Sequence, residues 1–145
     1  MRMREKAILR LVAKGFVPFI LLFALYTQFH GDFGPGGGFQ AGVIFAAGLI
    51  LYGLIWGLES LQRLAPPLVV EIAAALGVLL YGFTGVATML LGGNFLEYAA
   101  FSPEHPAHGQ HTGLLLIEGG VGITVTAAML VIYYKFAARA LPEEA

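Results

Sequence analysis

Gly31-Asp32-Phe33-Gly34-Pro35-Gly36-Gly37-Gly38-Phe39-Gln40-Ala41-Gly42 separates two long apolar runs. Five of its first eight residues are glycine and one is proline, so the backbone can turn here where no ordinary residue could follow. The stretch predicts a reversal of the chain. What it reverses is set by the flanking runs, each long enough to cross a bilayer at roughly 20 residues per helix.

On either side of it, the apolar runs cover about residues 8–29, 39–58, 67–91 and 113–136. Of the 145 residues, 58% are hydrophobic and 12% charged, too apolar a chain to hide inside one small water-soluble core. The expected fold is an all-α integral membrane protein, a single domain over residues 1–145 with four transmembrane helices. Pro66 and Pro67 suit the opening of the third helix, and Gly92-Gly93-Asn94 suit its close. The basic and then apolar N-terminus looks like a signal peptide, but no small-residue cleavage site follows, and the first run is read as a retained span.

Charge gives the expected orientation. Arg2, Arg4, Lys6, Arg10 and Lys14 precede or open the first helix, Arg63 lies between the second and third, and Lys135 and Arg139 close the fourth. The loops at 30–38 and 92–112 contain no Lys or Arg, which puts both outside and both termini in the cytoplasm of a multi-pass protein of the cell's inner membrane. Arg10 and Lys14, one turn apart on one face, are expected to snorkel to the inner headgroups. Trp56, Tyr133 and Tyr134 then fall at the inner interface, where aromatic belts occur.

Several function classes drop out. A formal net charge of -1 offers no basic face for a nucleic acid, and the absence of cysteine removes disulfides, thiolate nucleophiles and thiolate metal sites. Gly34–Gly38 lacks the Lys-Ser or Lys-Thr of a P-loop and follows no strand, so neither a nucleotide nor a cofactor is expected. No nucleophile has a base beside it, and the chain is not read as an enzyme.

Small residues recur at helix-packing intervals: Gly38, Gly42 and Ala46, then Gly53 and Gly57, in the second helix; Ala75, Gly82 and Gly85 in the third; Gly119, Gly120 and Gly122 in the fourth. Such faces let helix backbones approach closely in lipid. They exceed what four helices need among themselves, so partner membrane subunits are expected; the alternative is packing within the four alone.

Two carboxylates stand inside the apolar runs, where an ionisable group is costly and points to function. Glu71 is placed about one turn into the third helix, and Glu118 a little over one turn into the fourth. Gly122 and Thr126 follow Glu118 at intervals of four, making a small, partly polar stripe that can line an ion path or receive a partner's helix. The alternative for Glu118 is a register-setting hydrogen bond. For Glu71 it is neutralisation near the interface by Arg63 or a partner's base. His105, His108 and His111, with Glu97 and Glu104, could bind a metal only on a helical face, which Pro103 and Pro106 argue against. A solvated, titrating loop is the default there, and no metal site is assigned.

His30-Gly31-Asp32, then Pro35-Gly36-Gly37-Gly38-Phe39 and Gly42 entering an apolar helix, resembles the B subunit of the multisubunit Mrp-type (also called Mnh-type) sodium/proton antiporter. The similarity covers most of the chain, including the longer His-containing second outer loop and the acid of the last helix. It implies a small subunit of a membrane assembly that exchanges sodium ions for protons, with other integral membrane subunits as partners. Homologues in membrane-bound hydrogenase-type respiratory complexes give one alternative, and a scaffold subunit without ion-path residues gives another. Where many relatives have a second His, this chain has Asp32.

Overall fold

Among the described residues, four helices are long and apolar enough to cross a membrane: α1 (Ala7–His30), α2 (Gly38–Trp56), α4 (Pro67–Leu90) and α5 (Pro106–Ala140). A short α3 (Leu58–Leu64) joins α2 to α4, and a 3-10 turn (Tyr98–Phe101) precedes α5. The structure, a computed structural model, describes residues 6–31 and 33–140, the side chain of Ala140 excepted. Asp32 of the loop motif, and Arg2 and Arg4 of the charge census, lie outside the described residues.

Helices follow from the solvent, since in lipid a backbone must satisfy its own N–H and C=O groups within each span. α1 packs mainly on α2, α2 on α5, and α5 on α4, which sets the spatial order α1, α2, α5, α4. Large apolar side chains on the outer surface, Phe19, Phe23, Leu79 and Phe83 among them, stay exposed for lipid or partner chains. The buried cluster of Leu49, Leu61, Val70, Ala127, Leu130 and Tyr134 gathers towards the α3 end.

That end differs from the sequence expectation. The apolar run extends to Leu58, but Gly57 has φ +98, a backbone state that L side chains avoid, and it ends α2 at Trp56. Gly57, expected on a packing face, is a corner. Beyond it α3 folds back, so that Leu61 is 0% exposed and fills the space beside Gly53, where an added Cβ would stand 2.8 Å from Leu61 Cδ2. Tyr134, expected in an interfacial belt, is also buried, and its hydroxyl donates to the Ala65 carbonyl at 2.7 Å. Tyr134→Phe should lower the unfolding free energy in detergent by about 1 kcal/mol or less, the usual worth of a polar tie between membrane helices.

The fourth span starts earlier than the expected residue 113. Pro106 occupies the first helical position, where a missing N–H costs nothing, and the His105 carbonyl accepts from Gly109 N–H at 3.3 Å. Hydropathy misses these turns because His108, Gln110, His111 and Thr112 make them polar. At 35 residues α5 is about 52 Å long, so it outruns a hydrocarbon core of about 30 Å and its first turns project beyond it. Glu118 therefore lies more than three turns into its helix rather than a little over one.

α4 and α5 approach backbone to backbone at a glycine outside the expected set. A Cβ on Gly77 would stand 2.7 Å from the Gly120 carbonyl oxygen, and one on Gly120 would stand 2.9 Å from that of Gly77. Gly82, by contrast, has nothing within 4 Å. Gly85 packs against the Phe95 ring of the following loop rather than against a helix. The signal for this seam is a seven-residue spacing, Val70, Gly77 and Thr84, all buried.

Candidate functional site

The glycine stretch closes on itself before α2 begins. Gly37 has φ 114, and its N–H donates to the Thr27 carbonyl of α1 at 3.2 Å. Gly36 crowds the same carbonyl, since an added Cβ would sit 2.7 Å from it. The loop thus folds back over the last turn of α1 and leaves Phe33, Pro35 and Phe39 exposed at its rim. His30, the first residue of the motif, ends α1, stacked on Tyr26 with ring centroids 5.1 Å apart.

Glu118 reaches this loop from α5. A Cβ on Gly37 would stand 3.0 Å from its Oε1, and one on Gly31 would stand 3.0 Å from its Oε2. One on Gly38 would collide with the Glu118 carbonyl oxygen. The carboxylate lies against both ends of the turn, and the first residue of α2 packs directly on the α5 backbone that carries it. The seam continues one turn on, where a Cβ on Gly42 would be 2.8 Å from the Gly122 carbonyl oxygen. Thr126 adds a polar tie, its hydroxyl shared between the carbonyls of Gly122 at 2.8 Å and Gly42 at 3.2 Å. Ala46, next in the α2 series, is fully buried.

In the sequence the glycine loop and the α5 carboxylate stand as separate features, and the structure brings them together. It does not bring Glu71 to them. Glu71 is exposed on α4 and makes no ion pair among the described residues. Arg63, its suggested neutraliser, pairs instead with Glu59 at 3.9 Å on the exposed face of α3, a contact of little energetic weight.

Beside the α2–α5 seam runs a groove of about 470 Å³, walled by α1 and α4 and floored by small residues that include Gly42 and Gly122. Thr126 and Gln28 supply its polar atoms, and Gln28 Nε2 is buried there without a hydrogen-bond partner among the described residues. Sequence alone does not single out Gln28. Its one signal is a lone amide near the end of an apolar run.

The second loop is pinned rather than open. The Thr88 hydroxyl accepts from Leu96 N–H at 3.0 Å and donates towards the Asn94 carbonyl at 2.9 Å. Tyr98 lies over Gly113 of α5, with its phenol raised above the ordinary value by burial and secondarily by Tyr81. Its neutral form therefore anchors the loop at all physiological pH, and that contribution is lost only as pH rises through the raised value. Glu97 does not join the histidines, because it accepts from Asn94 N and Nδ2 at 2.7 and 2.8 Å. His105 and His108 have ring centroids 5.7 Å apart. Among the described residues, no three His, Asp or Glu side chains are grouped as a metal site would need.

Residues 8–131 match the family described as a domain related to the MnhB subunit of the Na+/H+ antiporter. The B subunit of the Na(+)/H(+) antiporter of Bacillus subtilis (strain 168) is 37% identical over 79 residues, 54% of each chain. The putative antiporter subunit mnhB2 of Staphylococcus aureus (strain Newman) is 31% identical over 127 residues, 86% of this chain and 89% of that protein.

Proposed function

The chain belongs to the MnhB family, and on that basis we propose that it is the B-type membrane subunit of a multisubunit sodium/proton antiporter. The family match across residues 8–131 carries the reading. The exposed apolar surface agrees with it, because Phe19, Phe23, Leu79 and Phe83 leave room for neighbouring membrane chains. The described cations, Lys6, Arg10, Lys14, Arg63, Lys135 and Arg139, belong to the ends of the spans nearest α3 and the termini. The positive-inside rule then puts both termini in the cytoplasm and the glycine loop on the outer face of the cell membrane.

Within that assembly the chain acts as a joint. Glu118 fastens the turn between α1 and α2 to α5, and Gly38 and Gly42 hold the two backbones together below it. A second reading puts Glu118 on the path of sodium ions or protons, with Glu71 contributing from a partner-facing side of α4 and Thr126 further along. It is favoured by the groove beside the seam, where Gln28 and Thr126 offer polar atoms within an apolar span. The assembly itself is tested by tagging this chain in its native host and solubilising the membranes in mild detergent. The antiporter reading expects the tag to bring down other antiporter-type subunits. Recovery of the chain alone, or with hydrogenase subunits, would contradict it.

A further inference from the structure

At the α3 end, a second cavity of about 650 Å³ opens between the start of α1 and the end of α2, outside the seam and the groove described above. One wall is the α1 stripe that runs from Arg10 and Lys14 to Val17 and Pro18. The facing wall is Tyr52 and Trp56, stacked with ring centroids 4.8 Å apart, and Leu64 closes it from α3. On this wall both cations, with Ala7 and Leu11 beside them, stand towards the helix start, and only apolar residues follow. No carboxylate lines the cavity among the described residues, and neither Arg10 nor Lys14 makes an ion pair there.

We infer that this cavity is a binding site for an anionic phospholipid, its phosphate held by Arg10 and Lys14 and one acyl chain laid along Val17, Pro18 and Tyr52. Lys14 lies one turn beyond Arg10 on α1 and, like it, makes no ion pair among the described residues, so the two leave an anion's place beside them. A guanidinium grips phosphate oxygens in a bidentate fork, and an ammonium one turn away adds a second charge. An indole beside them suits the headgroup level, where an apolar ring with one polar edge is at home. Free phosphate would satisfy the two cations but leave the apolar wall uncovered, and a zwitterionic lipid would cover the wall without matching the charge.

Trp56 is the chain's one tryptophan and lines the cavity, so it reports occupancy directly. The full chain is reconstituted in phosphatidylcholine vesicles with increasing fractions of phosphatidylglycerol or phosphatidylcholine brominated on the acyl chains, which quench a nearby indole. Relative affinity for the anionic lipid should be about fivefold or more, as expected for one to two basic side chains acting at a membrane surface. Arg10→Gln with Lys14→Gln should bring the ratio to within about twofold, while the charge-preserving exchange Arg10→Lys with Lys14→Arg keeps it. Equal quenching by both lipids in the wild-type chain, or an undiminished preference in a double variant of unchanged helicity, overturns the site. So does displacement of the brominated lipid by inorganic phosphate beyond that by chloride at equal ionic strength, which would mark a simple anion site.

Discussion

Gly38→Ala should be among the most damaging single substitutions in the chain. The new Cβ falls on the carbonyl oxygen of Glu118, and that obstacle is backbone in the middle of a long helix, which no rotamer change can relieve. α2 must then move away from α5 just where the turn meets the carboxylate, also loosening the Gly42 contact one turn on. Overpacking of this kind typically costs about 1–3 kcal/mol, and the backbone nature of the clash puts Gly38 at the upper end. Gly119→Ala is the matched control, because a Cβ there meets nothing within 4 Å. Thermal or denaturant unfolding in detergent should separate the two variants clearly. Equal stabilities would mean that α2 and α5 are not in contact at this point.

The second large effect is at Glu118 and depends on what replaces it. Leucine keeps the bulk but takes away the oxygens that lie against Gly31 and Gly37, so the turn loses its fastening. Lost contacts of a charged group of this kind cost about 1–3 kcal/mol. In membranes, Glu118→Leu should therefore release the chain from its assembly and abolish antiport with it. Glutamine retains one carbonyl oxygen in the same place, and Glu118→Gln should preserve co-purification and most of the activity. Were the carboxylate instead a station for sodium or protons, Glu118→Gln would leave assembly intact and stop ion movement. Measuring complex yield and sodium-dependent proton movement on the same membranes distinguishes the two roles.

The four spans are legible in the sequence because lipid permits so few solutions: an apolar run of sufficient length has to be a helix that bonds to itself. What hydropathy cannot register is where a helix bends or where a polar one begins. Gly57 lies within an unbroken apolar run, and only its positive φ marks the corner. Pro106 reads as a helix breaker until it is seen at the first helical position, where its missing N–H is an asset. Gly82 and Gly77 have the same side chain, and only the crossing of α4 with α5 decides that Gly77 is the contact.

The meeting of Glu118 with the glycine turn is hidden for a related reason. The partners are remote in sequence, and they approach because Gly38 and Gly42 allow α2 to lie against α5 at backbone distance. Each feature is visible separately, the loop by its composition and the acid by its depth in an apolar run. Their union is a tertiary fact. It also gives three glycines of the turn a reason to be glycine: a side chain at Gly31, Gly37 or Gly38 would occupy space that Glu118 already fills.

Whether sodium/proton exchange depends on this membrane subunit is decided in inside-out membrane vesicles from the native host with the chain removed, restored as wild type, or restored as Gly38→Ala. A preformed pH gradient should be dissipated by added sodium in the wild-type vesicles, and should persist both without the chain and with Gly38→Ala. Sodium-dependent dissipation of equal extent with and without the chain would contradict that dependence.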